Sequence, residues 1–201
     1  MANLHPVPDA VPDEAAVFTE PLAAAFSVLE QVTVGDGDHV VVLGDGKLGL
    51  LCAQVLAGTG ASVTLVGKHA ENLALVAGRG LATTLLEKWV PAGTADCVVE
   101  ATGSAAGLAQ AAAAVRPRGT LVLKSTVAEQ HRLSMAPLVI NEITVVGSRC
   151  GLFPPALQAL RDRAVEVTPL IDATFPLVEG VEALSHAARP GVRKVLIAPE
   201  L

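Results

Sequence analysis

Two rhythms of apolar and polar positions alternate along the chain. Val40-Val41-Val42-Leu43 is a continuous apolar run, the pattern of a strand covered on both faces. It is followed by Leu48, Leu51, Cys52, Val55 and Leu56, whose spacing lines one face of a helix. Gly58 and Gly60 close that helix, and Ala61–Val66 forms the next strand. The alternation continues with a helix over Glu71–Val76, a short strand at Thr84–Leu86 and a further strand at Cys97–Ala101. An alanine-rich helix then sets Leu108, Ala111, Ala112 and Val115 on one side. Arg118-Gly119 turns into the strand Thr120–Leu123, and Ile143–Val146 supplies the last. Six strands joined by helical crossovers predict an α/β fold, a doubly wound Rossmann sheet of order 3-2-1-4-5-6 with helices on both faces.

The ends read differently. Residues 1–17 are proline-rich and predict an irregular connector, with Pro6, Pro8 and Pro12 where a signal peptide would need an apolar run. From Pro21, the positions Leu22, Ala25, Phe26 and Leu29 have helical spacing, and Gly35–Asp38 marks a turn. The nucleotide-binding domain is accordingly expected over 18–150. Over 151–201 a helix through Phe153, Leu157, Leu160 and Ala164 precedes an extended Ile171–Leu177, a helical Val181–Ala188 and a closing strand Val195–Ile197.

Composition narrows the class. In 201 residues, 51% are hydrophobic, 17% charged and only 2% aromatic, which excludes disorder and suits a sheet filled by small aliphatic side chains. Twenty acidic against fourteen basic residues leave a net charge of −6, contrary to the basic face that nucleic acid requires. Three scattered cysteines, Cys52, Cys97 and Cys150, read as reduced thiols of a cytoplasmic protein.

The chemistry concentrates in Gly44-Asp45-Gly46-Lys47-Leu48-Gly49, a G-x-G-x-x-G between a strand and a helix. Gly44 permits a tight turn, Gly46 lets backbone approach a pyrophosphate, and Gly49 lets the helix pack close. Phosphates would rest on the free N–H groups at the positive end of the helix dipole, beside Lys47 and Leu48. The residue that reads the adenosine ribose is expected at the end of the second strand, about 20 residues on. Gly67 and Lys68 stand there instead of a carboxylate, which predicts NADP in preference to NAD. Alternatively, Lys68 merely starts a solvated helix.

Beyond these local patterns, several segments resemble the zinc-dependent medium-chain dehydrogenases (alcohol and polyol dehydrogenases). They are Asn3–Asp9, Phe18–Ala24, the glycine turn within Leu43–Leu51, Asp96–Gly103, Asn141–Arg149 and Arg193–Ile197. The resemblance covers essentially the whole chain, but only the C-terminal, cofactor-binding portion of the family. It implies that Thr102, Gly103, Ser125 and Thr126 lie at the carboxyl ends of their strands, where the cofactor crevice opens. Ser148 and Arg149 follow the sixth strand, with Arg149 placed either to reach a phosphate or to make a surface salt bridge. It also implies a GroES-like catalytic domain ahead of the Asn3 segment, carrying the cysteine and His-Glu pair that hold zinc. Only short N- and C-terminal remnants of that domain are expected here, so this chain alone is expected to bind no zinc and to be inactive. Glu20 matches a glutamate that approaches the metal in the polyol branch; it equally suits a helix N-terminus. None of His5, His39, His69, His131 and His186 stands at ligand spacing from a cysteine or carboxylate.

Small alcohols or polyols are the implied substrates of the intact enzyme. A homodimer through the apolar edge strand Ile143–Val146 is the implied assembly. Loss of the catalytic domain would leave Phe18–Leu29 and Ile171–Leu177 as apolar surface. A non-enzymatic NADP sensor or scaffold remains the alternative. An S-adenosylmethionine-dependent methyltransferase is less well matched, because Gly67 replaces the acid that fold uses.

Overall fold

A computed structural model describes residues 4–126 and 134–199. Asn3 and His131, named above, lie outside them. The run Val40–Leu43 is the buried part of β1 (His39–Leu43). α1 (Asp13–Ala16) and α2 (Thr19–Gln31) precede it, and α3 (Lys47–Ala57) and β2 (Ser62–Gly67) follow. Next come α4 (Ala70–Val76), β3 (Ala82–Leu85), β4 (Ala95–Glu100), α5 (Ala105–Ala114), β5 (Val115–Leu123), α6 (Ala136–Ile140) and β6 (Thr144–Gly147).

The strands form one six-stranded sheet of order β3-β2-β1-β4-β5-β6, with every pairing parallel. This is the doubly wound order expected from the alternating pattern. Chain order reverses between β1 and β4, so the carboxyl ends of these two strands open the crevice where such sheets take ligands.

Helices cover both faces. On one, Phe18, Leu22 and Val28 of the α2 region interlock with Leu50, Leu51 and Leu56 of α3. Val40, Val42, Leu65 and Val99 form the floor. On the other face, Ala111 and Ala114 of α5 meet Val41, Val98 and Leu121. Small side chains on α5 let the helix lie close to the sheet. Each of the fully buried leucines contributes about 1.5–3 kcal/mol by leaving water.

The remaining chain is α7 (Phe153–Arg161), β7 (Ala173–Pro176), α8 (Gly180–Ala187) and β8 (Val195–Ala198). Ala156, Ala159 and Leu160 of α7 join the same core as α2, and Gln54 of α3 bonds the backbone of Glu166. β7 and β8 pair in parallel as a separate two-stranded sheet.

Three local expectations are corrected. Arg118-Gly119 is not a turn before a strand but lies within β5, which starts at Val115. The β4–β5 register shifts between Ala95 and Cys97, so an in-strand bulge absorbs the extra residues. Arg118 takes a left-handed φ of 63° there, and its N–H bonds Asn141 O rather than β4. Second, the connector before Phe18 contains the helical turn α1. Third, Phe18–Leu29 is not apolar surface: Phe18, Leu22, Ala25 and Val28 are fully buried, because α7 packs over α2. Apolar side chains do stand out beyond β7, at Leu177, Val178, Val181 and Leu184.

Candidate functional site

The carboxyl ends of β1, β2 and β4 enclose a cleft of about 290 Å³. Its floor is the glycine turn. Gly44 has a φ of +120°, and a Cβ there would come within 2.5 Å of Ala101 O, so only glycine permits β1 to turn against the end of β4. A Cβ on Gly49 would lie 1.9 Å from Gly44 O, so the first turn of α3 folds directly onto the loop. Gly46 differs: a Cβ there would meet nothing within 4 Å. Its backbone is extended and suits any residue (φ −73°, ψ 175°). Nothing within 4 Å in the protein requires glycine at this position, whereas a ligand approaching the α3 N-terminus would. The Lys47, Leu48 and Gly49 N–H groups begin that helix, and helices leave such donors unsatisfied.

The wall at β4 is braced by Glu100. This buried carboxylate accepts the Thr102 N–H at 2.8 Å and its hydroxyl at 2.6 Å through one oxygen. Ser104 caps α5 by accepting the Gly107 N–H at 3.1 Å. Gly103 N–H donates to Ser125 Oγ at 2.8 Å, tying the tips of β4 and β5 together. Thr102 thus lines the cleft while Ser125 supports it from the neighbouring strand, and Thr126 lies exposed beyond.

Ser148 and Arg149 are not brought to this cleft. Ser148 is buried, and its hydroxyl lies 2.7 Å from that of Ser27 and accepts from Lys124 Nζ at 3.1 Å. Arg149 is exposed, and its carbonyl accepts from Lys124 Nζ at 3.1 Å. Lys124 also donates to Ala24 O at 2.6 Å and Ser27 Oγ at 3.1 Å. This lysine binds four neutral oxygens, and burial holds its pKa below the usual lysine value. The hydrophobic run of β5 conceals its role in the sequence.

Four cleft residues escaped sequence reasoning. Asp45 is buried, its carboxylate lying against Gly67. His69, Asn72 and Arg193 line the same space, with Arg193 fixed by the Asp172 carboxylate and by Asn72 Oδ1 at 3.2 Å. Lys68 stands exposed at the rim. The premise that no carboxylate occupies the end of the second strand therefore fails: one reaches it from the glycine turn.

Among the described residues no three His, Cys, Asp or Glu side chains gather. Glu20 sits exposed in the first turn of α2, near enough to Lys124 and Lys194 to feel their charge. No helix of the described residues is long and apolar enough to cross a membrane.

Comparisons with known proteins agree with this architecture. The model of the zinc-binding dehydrogenase family matches residues 48–166. Sorbitol dehydrogenase of Halalkalibacterium halodurans is 28% identical over 98% of this chain and 62% of its own length. The rat sorbitol dehydrogenase is 27% identical over 96% of this chain and 58% of its own. A Sinorhizobium meliloti structure described as a zinc-binding dehydrogenase and bound to NADP superposes with a TM-score of 0.87 at 26% identity, over 96% of this chain and 61% of that one. L-Idonate 5-dehydrogenase of Escherichia coli shares the fold, with a TM-score of 0.89 at 24% identity over 96% of this chain and 59% of that one. The chain spans about three fifths of the length of the curated relatives it matches. With the family model covering more than half of it, the chain belongs to the zinc-binding dehydrogenase family.

Proposed function

We propose that this chain holds the nicotinamide dinucleotide of an oxidoreductase that moves hydride between a small alcohol or polyol and the cofactor. The observation that carries the reading is the open Gly46 position above the α3 N-terminus, next to two glycines that the protein's own packing does require. A pyrophosphate there would accept the free N–H groups of the helix start and meet the positive end of its dipole. Thr102, Gly103 and Ser125 would border the nicotinamide side, and Gly67 and Lys68 the adenosine side. The hydride chemistry belongs to the cofactor; these residues bind and orient it.

The relatives' names supply the substrate class, since sorbitol and idonate are polyhydroxylated. Zinc, when bound in such an enzyme, polarises an alcohol oxygen. Glu20 alone offers one carboxylate to it, so we further propose that the residues described here bind cofactor without turning over an alcohol. Cys52, Cys97 and Cys150 are free thiols, which suits the cytoplasm. The edge strand β6, with Val145 exposed, is proposed to pair with its copy across a twofold axis.

Calorimetric titration with NADH and NADPH tests the binding reading, and an assay with sorbitol and zinc tests the inactivity. Binding without turnover is expected. Turnover at ordinary enzymatic rates would contradict the second claim, and binding of S-adenosylmethionine in place of dinucleotide the first. Light scattering should give a dimer; a monomer would count against the β6 contact.

A further inference from the structure

From the geometry around Gly67 we infer that Asp45, a residue of the glycine turn, is the group that reads the adenosine ribose, and that it selects NAD over NADP. This inference rests on the dinucleotide reading above.

Asp45 is the x of the first G-x-G, a position whose side chain has no part in the turn itself. Here it swings across to the neighbouring strand. A Cβ added to Gly67 would fall 2.4 Å from Asp45 Cβ, 2.5 Å from its Cγ and 2.6 Å from Oδ2. The carboxylate thus occupies the volume where a side chain at the end of β2 would begin. Gly67 is a vacancy that Asp45 fills, rather than an acid lost.

The carboxylate is held there. Oδ2 accepts the backbone N–H of His69 at 2.6 Å and faces His69 Nδ1 at 3.1 Å. Asn72 anchors the turn from the other side, donating to Asp45 O at 3.0 Å. The side chain is only 8% exposed. Among the described residues Oδ1 has no hydrogen-bond donor, although Asp45 borders the cleft. A carboxylate oxygen without a donor in so buried a place is costly unless a ligand supplies one. The vicinal hydroxyls of a ribose are two such donors, at the end of the strand where this fold seats that sugar. A 2′-phosphate would bring negative charge against the same oxygen and has no proton to give it near neutral pH. Lys68, the cation that favours NADP in the sequence, is exposed and screened by water.

The test measures NADH and NADPH affinity by calorimetry on the full chain. Wild type is expected to bind NADH at least about tenfold more tightly, since a 2′-phosphate would face a like charge. Asp45→Asn keeps the shape and removes the charge, and should shrink that ratio towards unity. The double variant Asp45→Gly/Gly67→Asp returns the acid to β2 and should restore the NADH preference that Asp45→Gly alone loses. Circular dichroism and melting curves on each variant separate misfolding from altered selectivity. Preference for NADPH in the wild type, or an unchanged ratio in folded Asp45→Asn, would overturn the assignment while leaving dinucleotide binding intact. Failure of wild type to bind either cofactor would overturn the parent reading and this one with it.

Discussion

Gln54 and Glu166 exchange two hydrogen bonds: Gln54 Nε2 donates to Glu166 O at 3.0 Å, and the Glu166 N–H donates to Gln54 Oε1 at 2.8 Å. The amide on α3 thereby satisfies a stretch of backbone that has no strand or helix to bond it. It pins the segment after α7 to the helix that starts at the glycine turn. Gln54→Leu is expected to destabilise the fold by about 1–3 kcal/mol, because both Glu166 groups lose their partner. Urea denaturation checks this; a variant as stable as wild type would show that water replaces the amide.

Asp172 and Arg193 make the corresponding link between the small sheet and the cleft. Burial pushes the Asp172 carboxyl up, but the Arg193 side chain, the Arg193 and Lys194 N–H groups and the Arg193 charge outweigh it and hold it below the usual carboxylate value. A carboxyl lowered on folding stabilises above its unfolded pKa, and that contribution fades as pH falls through the lower, folded one. Relative to Asp172→Asn, wild type should therefore lose its advantage below about pH 4. At pH 7 the substitution should cost about 2 kcal/mol, a charge-assisted hydrogen bond lost. A pH-independent difference would contradict the ion pair.

Lys124 gives the same sign of pH dependence in the alkaline range, but for the opposite reason, since its charged form is the one that folding penalises. Burial lowers its pKa, with the nearby Glu20 carboxylate acting the other way. An amine whose folded pKa is depressed releases its proton more easily in the native state, so wild type should gain stability relative to Lys124→Met as pH rises towards the unfolded lysine value near 10.4. Paired melts from pH 7 to about pH 10 measure the difference. A difference that shrinks with pH would place the ammonium in a favourable ion pair instead.

The cysteines divide by environment. Burial pushes Cys52 up to about 12, with Lys124 opposing, and burial together with Asp38 and Asp96 pushes Cys97 up to about 12. Cys150 is exposed. Ellman's reagent at neutral pH should find one fast thiol in the native chain and three after unfolding in guanidinium, since only an accessible thiolate reacts. Three fast thiols would mean that the sheet face under α3 opens readily.

The parts legible in the sequence are those set by local pattern. Val40–Leu43 reads as a buried strand because a continuous aliphatic run needs cover on both faces, Ala61–Val66 and Cys97–Ala101 read as strands from their place in the alternation, and the glycine turn was placed by its strand and helix. What escaped depends on contacts between distant residues. Asp45 bonds His69 across 24 positions, and nothing in either local pattern signals that a turn residue supplies the acid missing from β2. Ser148 reads as a residue near the cofactor, but Lys124 draws its hydroxyl inward. Arg118-Gly119 has turn composition, yet it is absorbed as a bulge because β4 and Asn141 engage its two flanks.

The central claim, that the glycine turn exists to receive a dinucleotide pyrophosphate, is tested most directly by Gly46→Val. Its Cβ would point into space free of protein atoms, so the fold should persist, with stability lowered by no more than about 1 kcal/mol, the cost of a poorer helix N-cap. NADH binding measured by calorimetry on the same sample should weaken at least about tenfold, a loss of roughly 1.4 kcal/mol or more as the pyrophosphate is held away from the α3 N-terminus. A folded Gly46→Val chain that binds NADH as tightly as wild type would contradict the claim.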